Sequence, residues 1–254
     1  MLFRSFPVTG QTYPRVVDGL VAASLAAAAS AAQKCATDLR LLANRKEIEE
    51  PFEASQIGSS AMPYKRNPMR AERMCALARH VIVLAQDPAF TAATQWLERT
   101  LDDSANRRLS VPDAFLALDG CLLLLENVAR GLVVNPEVLR RNLAEHLPFM
   151  AAETILMHAA SRGGDRQELH ERIRQHSMAA ARRMKEEGAD ADLLDRIADD
   201  EAFGLARDEL EGLVDPMRFV GRAPEQVSRF LEDHVRPALE GRETPSIADP
   251  VLHV

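Results

Sequence analysis

Residues Gly58-Ser59-Ser60-Ala61-Met62-Pro63-Tyr64-Lys65-Arg66-Asn67-Pro68 gather hydroxyls, cations and an amide into one short stretch. Gly58 and the two prolines shape a loop, and loops held by rigid elements commonly carry function. The adjacent serines offer two hydroxyls and two backbone N–H groups. Lys65 and Arg66 add positive charge, and Asn67 adds an amide donor. Such a loop can hold a carboxylate and set a hydroxyl beside it. Lys65 stands out because only four of the 31 basic residues are lysines. The same residue types also build ordinary polar connections between helices, and spacing alone leaves both readings open.

Other chemistry-bearing residues point to structure. His170-Glu171 followed by His176 does not have the His-Glu-x-x-His zinc spacing, so both histidines are expected on a solvated helix face. His80, His146, His158, His234 and His253 have no partner visible in sequence. Gly163-Gly164-Asp165-Arg166 lacks the glycine spacing and the preceding strand of a dinucleotide loop, and reads as a turn between helices. Cys35, Cys75 and Cys121 form no close pair, which fits neither a disulfide framework nor a zinc clip. No metal, flavin or nicotinamide cofactor is implied.

The elements that must position these residues are helical. The chain has 254 residues, 46% apolar and 27% charged, with a formal net charge of −7. That is globular composition, and the acidic balance argues against nucleic acid as a partner. The most apolar run, Val21 to Ala32, is twelve residues of mostly alanine, short of the roughly 20 strongly apolar residues of a membrane span. Thr12 to Arg45 reads as one long helix, and its alanines suggest close packing against neighbouring helices. Helical spacing resumes from Met69 to Leu84 and around Ala89 to Leu101. Ser110, Pro112 and Asp113 mark the start of a further helix ending near Gly131. On it Phe115, Leu118, Leu122, Leu125 and Val128 form a predicted buried stripe. Asn135-Pro136-Glu137 opens a second domain of shorter pieces: Pro136–Glu145, Ala151–Ser161, Arg166–Glu187, Ala191–Asp199 and Pro224–Leu239. No strand is expected. The fold class is all-α: a long-helix bundle over residues 1–134 that carries the 58–68 loop, then a smaller helical domain over 135–254.

The pattern Gly-Ser-Ser-x-Met-Pro-x-Lys-x-Asn-Pro resembles the signature loop of the fumarase/aspartase superfamily, whose members eliminate fumarate from substituted succinates. Trp96-Leu97-Glu98-Arg99-Thr100-Leu101-Asp102-Asp103-Ser104-Ala105-Asn106-Arg107-Arg108 resembles the matching segment of the adenylosuccinate lyase family. Val8-Thr9-Gly10-Gln11-Thr12-Tyr13, Asp38-Leu39-Arg40-Leu41-Leu42-Ala43-Asn44, Glu50-Pro51-Phe52-Glu53 and Leu147-Pro148-Phe149-Met150-Ala151-Ala152-Glu153 are similar to that family too. The resemblance covers nearly the whole chain and roughly the C-terminal half of the family's subunit.

It implies roles residue by residue. Ser59 is the expected general base, removing a proton from the succinyl carbon beside a carboxylate. Lys65 and Asn67 are expected to stabilise the resulting dianion. Ser60, Met62 and Glu72 are expected to support the loop. Gln11, Arg73, Arg99, Ser104 and Arg108 match substrate-contacting positions, with Arg99, Ser104 and Arg108 resembling the phosphate-binding set. Guanidinium forks and a hydroxyl suit a monophosphate. Ser104 and Arg108, four apart, would share a helix face. The implied reaction is cleavage of adenylosuccinate to AMP and fumarate, and of the related succinyl-carboxamide ribonucleotide, in purine biosynthesis. No metal or cofactor is needed. The implied setting is a cytoplasmic homotetramer acting on small molecules, with no membrane or nucleic acid. The family's general-acid histidine lies in the half that this chain does not match. Two other readings are a non-catalytic helical remnant that only oligomerises, and a sibling lyase of the argininosuccinate lyase or fumarase type.

Overall fold

A computed structural model describes residues 6–52, 62 and 64–241. It divides into two compact units, the first running to Pro136 and the second from Glu137. Both are helical.

The first unit is built on α1 (Val16–Asn44), α2 (Met69–Leu84) and α4 (Asp103–Gly131), with the short α3 (Asp87–Ala93) beside them. Alanine sets their packing. Ala29, Ala32 and Ala36 of α1, Ala71 and Ala78 of α2, and Ala114 and Ala117 of α4 are buried in one core with Met74, Leu118, Cys121 and Leu124. Small side chains let the helix axes approach closely. The 29 residues of α1 are long enough, and on average apolar enough, to cross a bilayer. That apolarity is mostly alanine, and its buried positions serve the helix core.

Three expectations change here. The helix expected to start at Ser110 begins at Asp103. Ser110 is buried inside it, donating to the Asn106 carbonyl at 3.1 Å, and Pro112 is an interior residue. Burial of Asp103 and Ser110 outweighs the proline's missing N–H as a start signal. The predicted stripe is rotated: Leu118 and Val128 are buried, but Phe115 is 50% and Leu122 45% exposed. The alanine side of the helix faces the core, and the large side chains are left outside. The helix expected through Leu101 ends at Ala93, and a turn carrying Leu97 at φ +48° follows.

A strand pair that no sequence pattern announced joins the segment after α1 to the segment after α4. β1 (Ile48–Glu49) pairs antiparallel with β2 (Val133–Val134). Asn135 extends the tie, its backbone N–H donating to the Glu47 carbonyl at 2.9 Å and its side chain to Lys46 at 3.1 Å.

The second unit comprises α5 (Pro136–Ala144), α6 (Leu147–Met150), α7 (Ala152–Ser161), α8 (Arg166–Glu187), α9 (Leu193–Ala198), α10 (Arg207–Leu213), α11 (Ala223–Phe230) and α12 (Arg236–Leu239). A wide π turn, Leu231–Val235, joins the last two. Ile155, Leu169, Leu193, Ile197, Phe203 and Leu210 lie in its core. Asp165 caps α8 by accepting from the Gln167 and Glu168 N–H groups, both at 2.9 Å. The 163–164 pair is the turn read from sequence, with Gly163 at φ +104°. His176 is not solvated as expected. It is partly buried, 2.8 Å from an Asp200 carboxylate oxygen and beside the Phe203 ring. His80 also has a partner, Asp113 at 2.6 Å.

Candidate functional site

Ser59 and Ser60 lie outside the described residues; Met62 and the segment from Tyr64 onward lie within them. Lys65, Arg66 and Asn67 are exposed and run straight into α2, whose first residue is Met69. The Lys65 N–H donates to the Met62 carbonyl at 2.9 Å. An open cleft of about 870 Å³ lies beside this segment. Lys65, Asn67 and Glu72 line it together with Arg40, Asn44 and Glu50. Arg40 and Lys65 supply cations and Asn44 and Asn67 amide donors suited to a dicarboxylate ligand, beside the carboxylates of Glu49, Glu50 and Glu72.

Arg40, Asn44 and Glu50 were not singled out from the sequence as site residues. The signal was present for the first two: four apart on α1, they share a face. Glu50 carried no such signal, because its partners are twenty residues away. Its carboxylate accepts from the Arg70 N–H at 2.9 Å and from the Ala71 N–H at 2.6 Å, in the first turn of α2. Burial pushes its pKa up, against the opposing effect of these N–H groups and of the Arg70 charge.

The expected phosphate set sits elsewhere on the unit. Arg108 Nη1 donates to Ser104 Oγ at 2.9 Å, so this pair does share a face of α4. Arg99 approaches Asp103 at 3.4 Å. The Asp103 side chain is fully buried, and Arg15 Nε reaches it at 2.5 Å. Burial alone would raise the Asp103 pKa. The hydrogen bonds from Arg15 and Arg99 outweigh that and hold it below the usual carboxylate range. Beside it Arg107 donates to Asp18 at 3.1 Å and to the Tyr13 hydroxyl, and the Arg15 guanidinium lies over the Tyr13 ring, 4.8 Å from its centre. Gln11 and Arg73 are exposed and line neither group.

One chain therefore does not bring all these residues together. The cleft takes Thr37, Arg40 and Asn44 from the end of α1, whereas the arginine cluster is anchored on Arg15 and Asp18 at its start. From position 18 to position 40 a helix rises about 33 Å at ~1.5 Å per residue. That exceeds the reach of a succinyl nucleotide. Among the described residues no group of three His, Cys, Asp or Glu side chains is placed to hold a metal ion.

Comparison with known proteins adds to this geometry. Residues 15–83 match a family model described as "Lyase", and residues 148–230 match one described as "Adenylosuccinate lyase C-terminus". The chain is 55% identical over 235 residues to an adenylosuccinate lyase of Saccharomyces cerevisiae, covering 92% of this chain and 49% of that protein. It is 49% identical over 237 residues to an adenylosuccinate lyase of Schistosoma mansoni, again covering 49% of the relative. Among solved structures, a 3-carboxy-cis,cis-muconate lactonizing enzyme from Pseudomonas putida superposes with a TM-score of 0.70 at 28% identity, over 85% of this chain and 46% of that one. The chain spans about half the length of the curated relatives it matches. Over that span it belongs to the adenylosuccinate lyase family.

Proposed function

We propose that this chain works within an adenylosuccinate lyase, releasing fumarate from adenylosuccinate to give AMP and from the succinyl-aminoimidazole-carboxamide ribonucleotide. The observation that carries this reading is the shared cleft of Lys65, Asn67 and Glu72 at the mouth of α2. In the proposed reaction Ser59 takes the proton from the succinyl carbon next to a carboxylate. The electron pair first rests on that carboxylate, as an aci-carboxylate dianion. Lys65 and Asn67 supply fixed donors for the added charge. The pair then forms the carbon–carbon double bond as the carbon–nitrogen bond breaks, and the leaving nitrogen takes a proton from an acid outside this chain's matched residues. Ser60, Met62 and Glu72 support the loop. Gln11, Arg73, Arg99, Ser104 and Arg108 contact substrate, the last three at its phosphate.

The separation along α1 supports a site completed by other copies of the chain, as in a homotetramer. So does the apolar outer side of α4, where Phe115, Leu116 and Leu122 are exposed. We assign the bundle to residues 1–134, the smaller domain to 135–254, and the enzyme to the cytoplasm.

The test is fumarate release from adenylosuccinate by the protein in its native assembly, beside Ser59→Ala. The expected result is release by the wild type and a kcat lower by several orders of magnitude, with binding retained, in the mutant. Near-normal turnover in the mutant removes Ser59 as the base. An inactive wild type in its native assembly favours the second reading, a non-catalytic oligomerising remnant, to which the exposed face of α4 also lends itself.

A further inference from the structure

The chain leaves β1 at Glu49 and returns at Met69, and five contacts tie the outgoing residues to the returning ones. Arg66 Nη1 donates to Glu49 Oε2 at 2.7 Å. The Arg66 guanidinium also lies over the Phe52 ring, 4.8 Å from its centre. The Glu50 carboxylate accepts from the Arg70 and Ala71 N–H groups at 2.9 and 2.6 Å. The Arg70 side chain, only 2% exposed, donates through Nη1 to the Pro51 carbonyl. Lys65 and Asn67 flank Arg66 in sequence, and Asn67 is three residues from Arg70. The backbone carrying both cleft residues is thus held from either side.

We propose that Glu50, together with Arg70, is a positioning pair that fixes the backbone of Lys65 and Asn67 toward the cleft. The kinetic part rests on the lyase reading above; the structural part does not.

Several features mark this as more than a helix cap. A cap needs one acceptor from the residue preceding the helix. Here the acceptor, Glu50, comes from the residue just after β1, twenty residues earlier, both carboxylate oxygens are used, and Pro68 takes the usual cap position with no side-chain bond. The outgoing strand is itself anchored: β1 pairs with β2, and Pro51 packs so closely on Gly131 that a Cβ there would lie 2.5 Å from the Pro51 Cβ. Burial of Glu50 disfavours its charged form, so the carboxylate is held where ionisation is costly. A charged acceptor binds two N–H groups more firmly than a neutral one and fixes their direction.

The experiment compares wild type, Glu50→Gln and Glu50→Ala in the native assembly, measuring kcat and KM for adenylosuccinate and the amide hydrogen exchange of residues 65–71. Gln leaves one acceptor oxygen and Ala none. The expected result is a graded fall in kcat, about tenfold for Gln and ~100-fold for Ala, the cost of a small misplacement of catalytic groups. KM should stay within about threefold, because the phosphate set lies on another part of the unit. Exchange at Arg70, Ala71 and the Lys65–Asn67 segment should rise in the same order. A kcat within twofold of wild type in Glu50→Ala, with faster exchange, would overturn the positioning role and leave a purely structural clamp. Unchanged exchange would overturn the clamp itself. If the wild type releases no fumarate, the lyase reading fails, and the exchange rates alone decide the clamp. Should Glu50→Ala not fold, Glu50→Gln carries the same comparison.

Discussion

Asp103→Ala tests the most deeply buried charge among the described residues of the first unit. The Asp103 carboxylate has no exposed surface; Arg15, 7% exposed, and Arg99, 25% exposed, both donate to it. Removing it leaves Arg15 as a buried cation with no opposing charge at that position. Breaking one partner of such a pair costs about 3–5 kcal/mol. Arg99 regains some hydration through its exposed quarter, so the lower end, about 3 kcal/mol, is expected. For a unit of this size that is a fall of roughly 10 °C in Tm. The assay is urea unfolding followed by circular dichroism, with Arg15→Met/Asp103→Leu as the paired control. Replacing both partners by apolar groups avoids the orphan charge and should recover most of the loss. The pH dependence has a defined sign. The folded pKa of Asp103 is lowered, so its contribution is complete above the unfolded carboxylate value near 4 and is lost as pH falls through the folded value. The gap between wild type and Asp103→Ala should be the same at pH 7 and pH 5 and close only in stronger acid. A single mutant within 1 kcal/mol of wild type, or a double mutant no better than the single, would refute the reasoning.

Glu50 has the opposite sign. Its folded pKa is raised, so ionisation costs stability at neutral pH, and Glu50→Gln should melt no lower than wild type at pH 7. That difference should shrink as pH falls toward 4; a mutant much less stable at pH 7 contradicts it. Gly131→Ala should gain helix propensity, by up to about 1 kcal/mol, yet destabilise the unit, because its Cβ would press on the Pro51 ring at 2.5 and 3.0 Å. Urea unfolding decides the sign, and a net gain in stability would show that the segment carrying Pro51 gives way easily. Arg99→Ala and Arg108→Ala in the native assembly should weaken AMP binding, measured by calorimetry. A pure kcat effect with unchanged affinity in both would contradict the phosphate role.

Elements with complete local signals were legible from the sequence. α8 runs from Arg166 to Glu187 as expected, between the Asp165 cap and Gly188 in the left-handed region. α2 runs from Met69 to Leu84 as read from its spacing. α4 was misread at its start because Ser110 and Pro112 imitate a helix beginning, while the residues that extend it backward do so through Asp103, whose main partner, Arg15, is 88 positions away. Its stripe was misread because leucine normally marks the core. Here alanine makes the close contacts and Phe115 and Leu122 stay outside. β1 and β2 are two residues each, too short to show alternation.

Residue types and short spacings determined the helical class and the pairing of Ser104 with Arg108, and they carried the resemblance to the family. These follow from neighbouring residues, since propensity, capping and the i,i+4 face are local. Tertiary structure decided that Glu50 meets the first turn of α2 and that Arg40 and Asn44 join Lys65 in one cleft. It also decided that the arginine cluster lies at the other end of α1. Such meetings depend on which helix faces pack and in what register, and that is settled by the whole core.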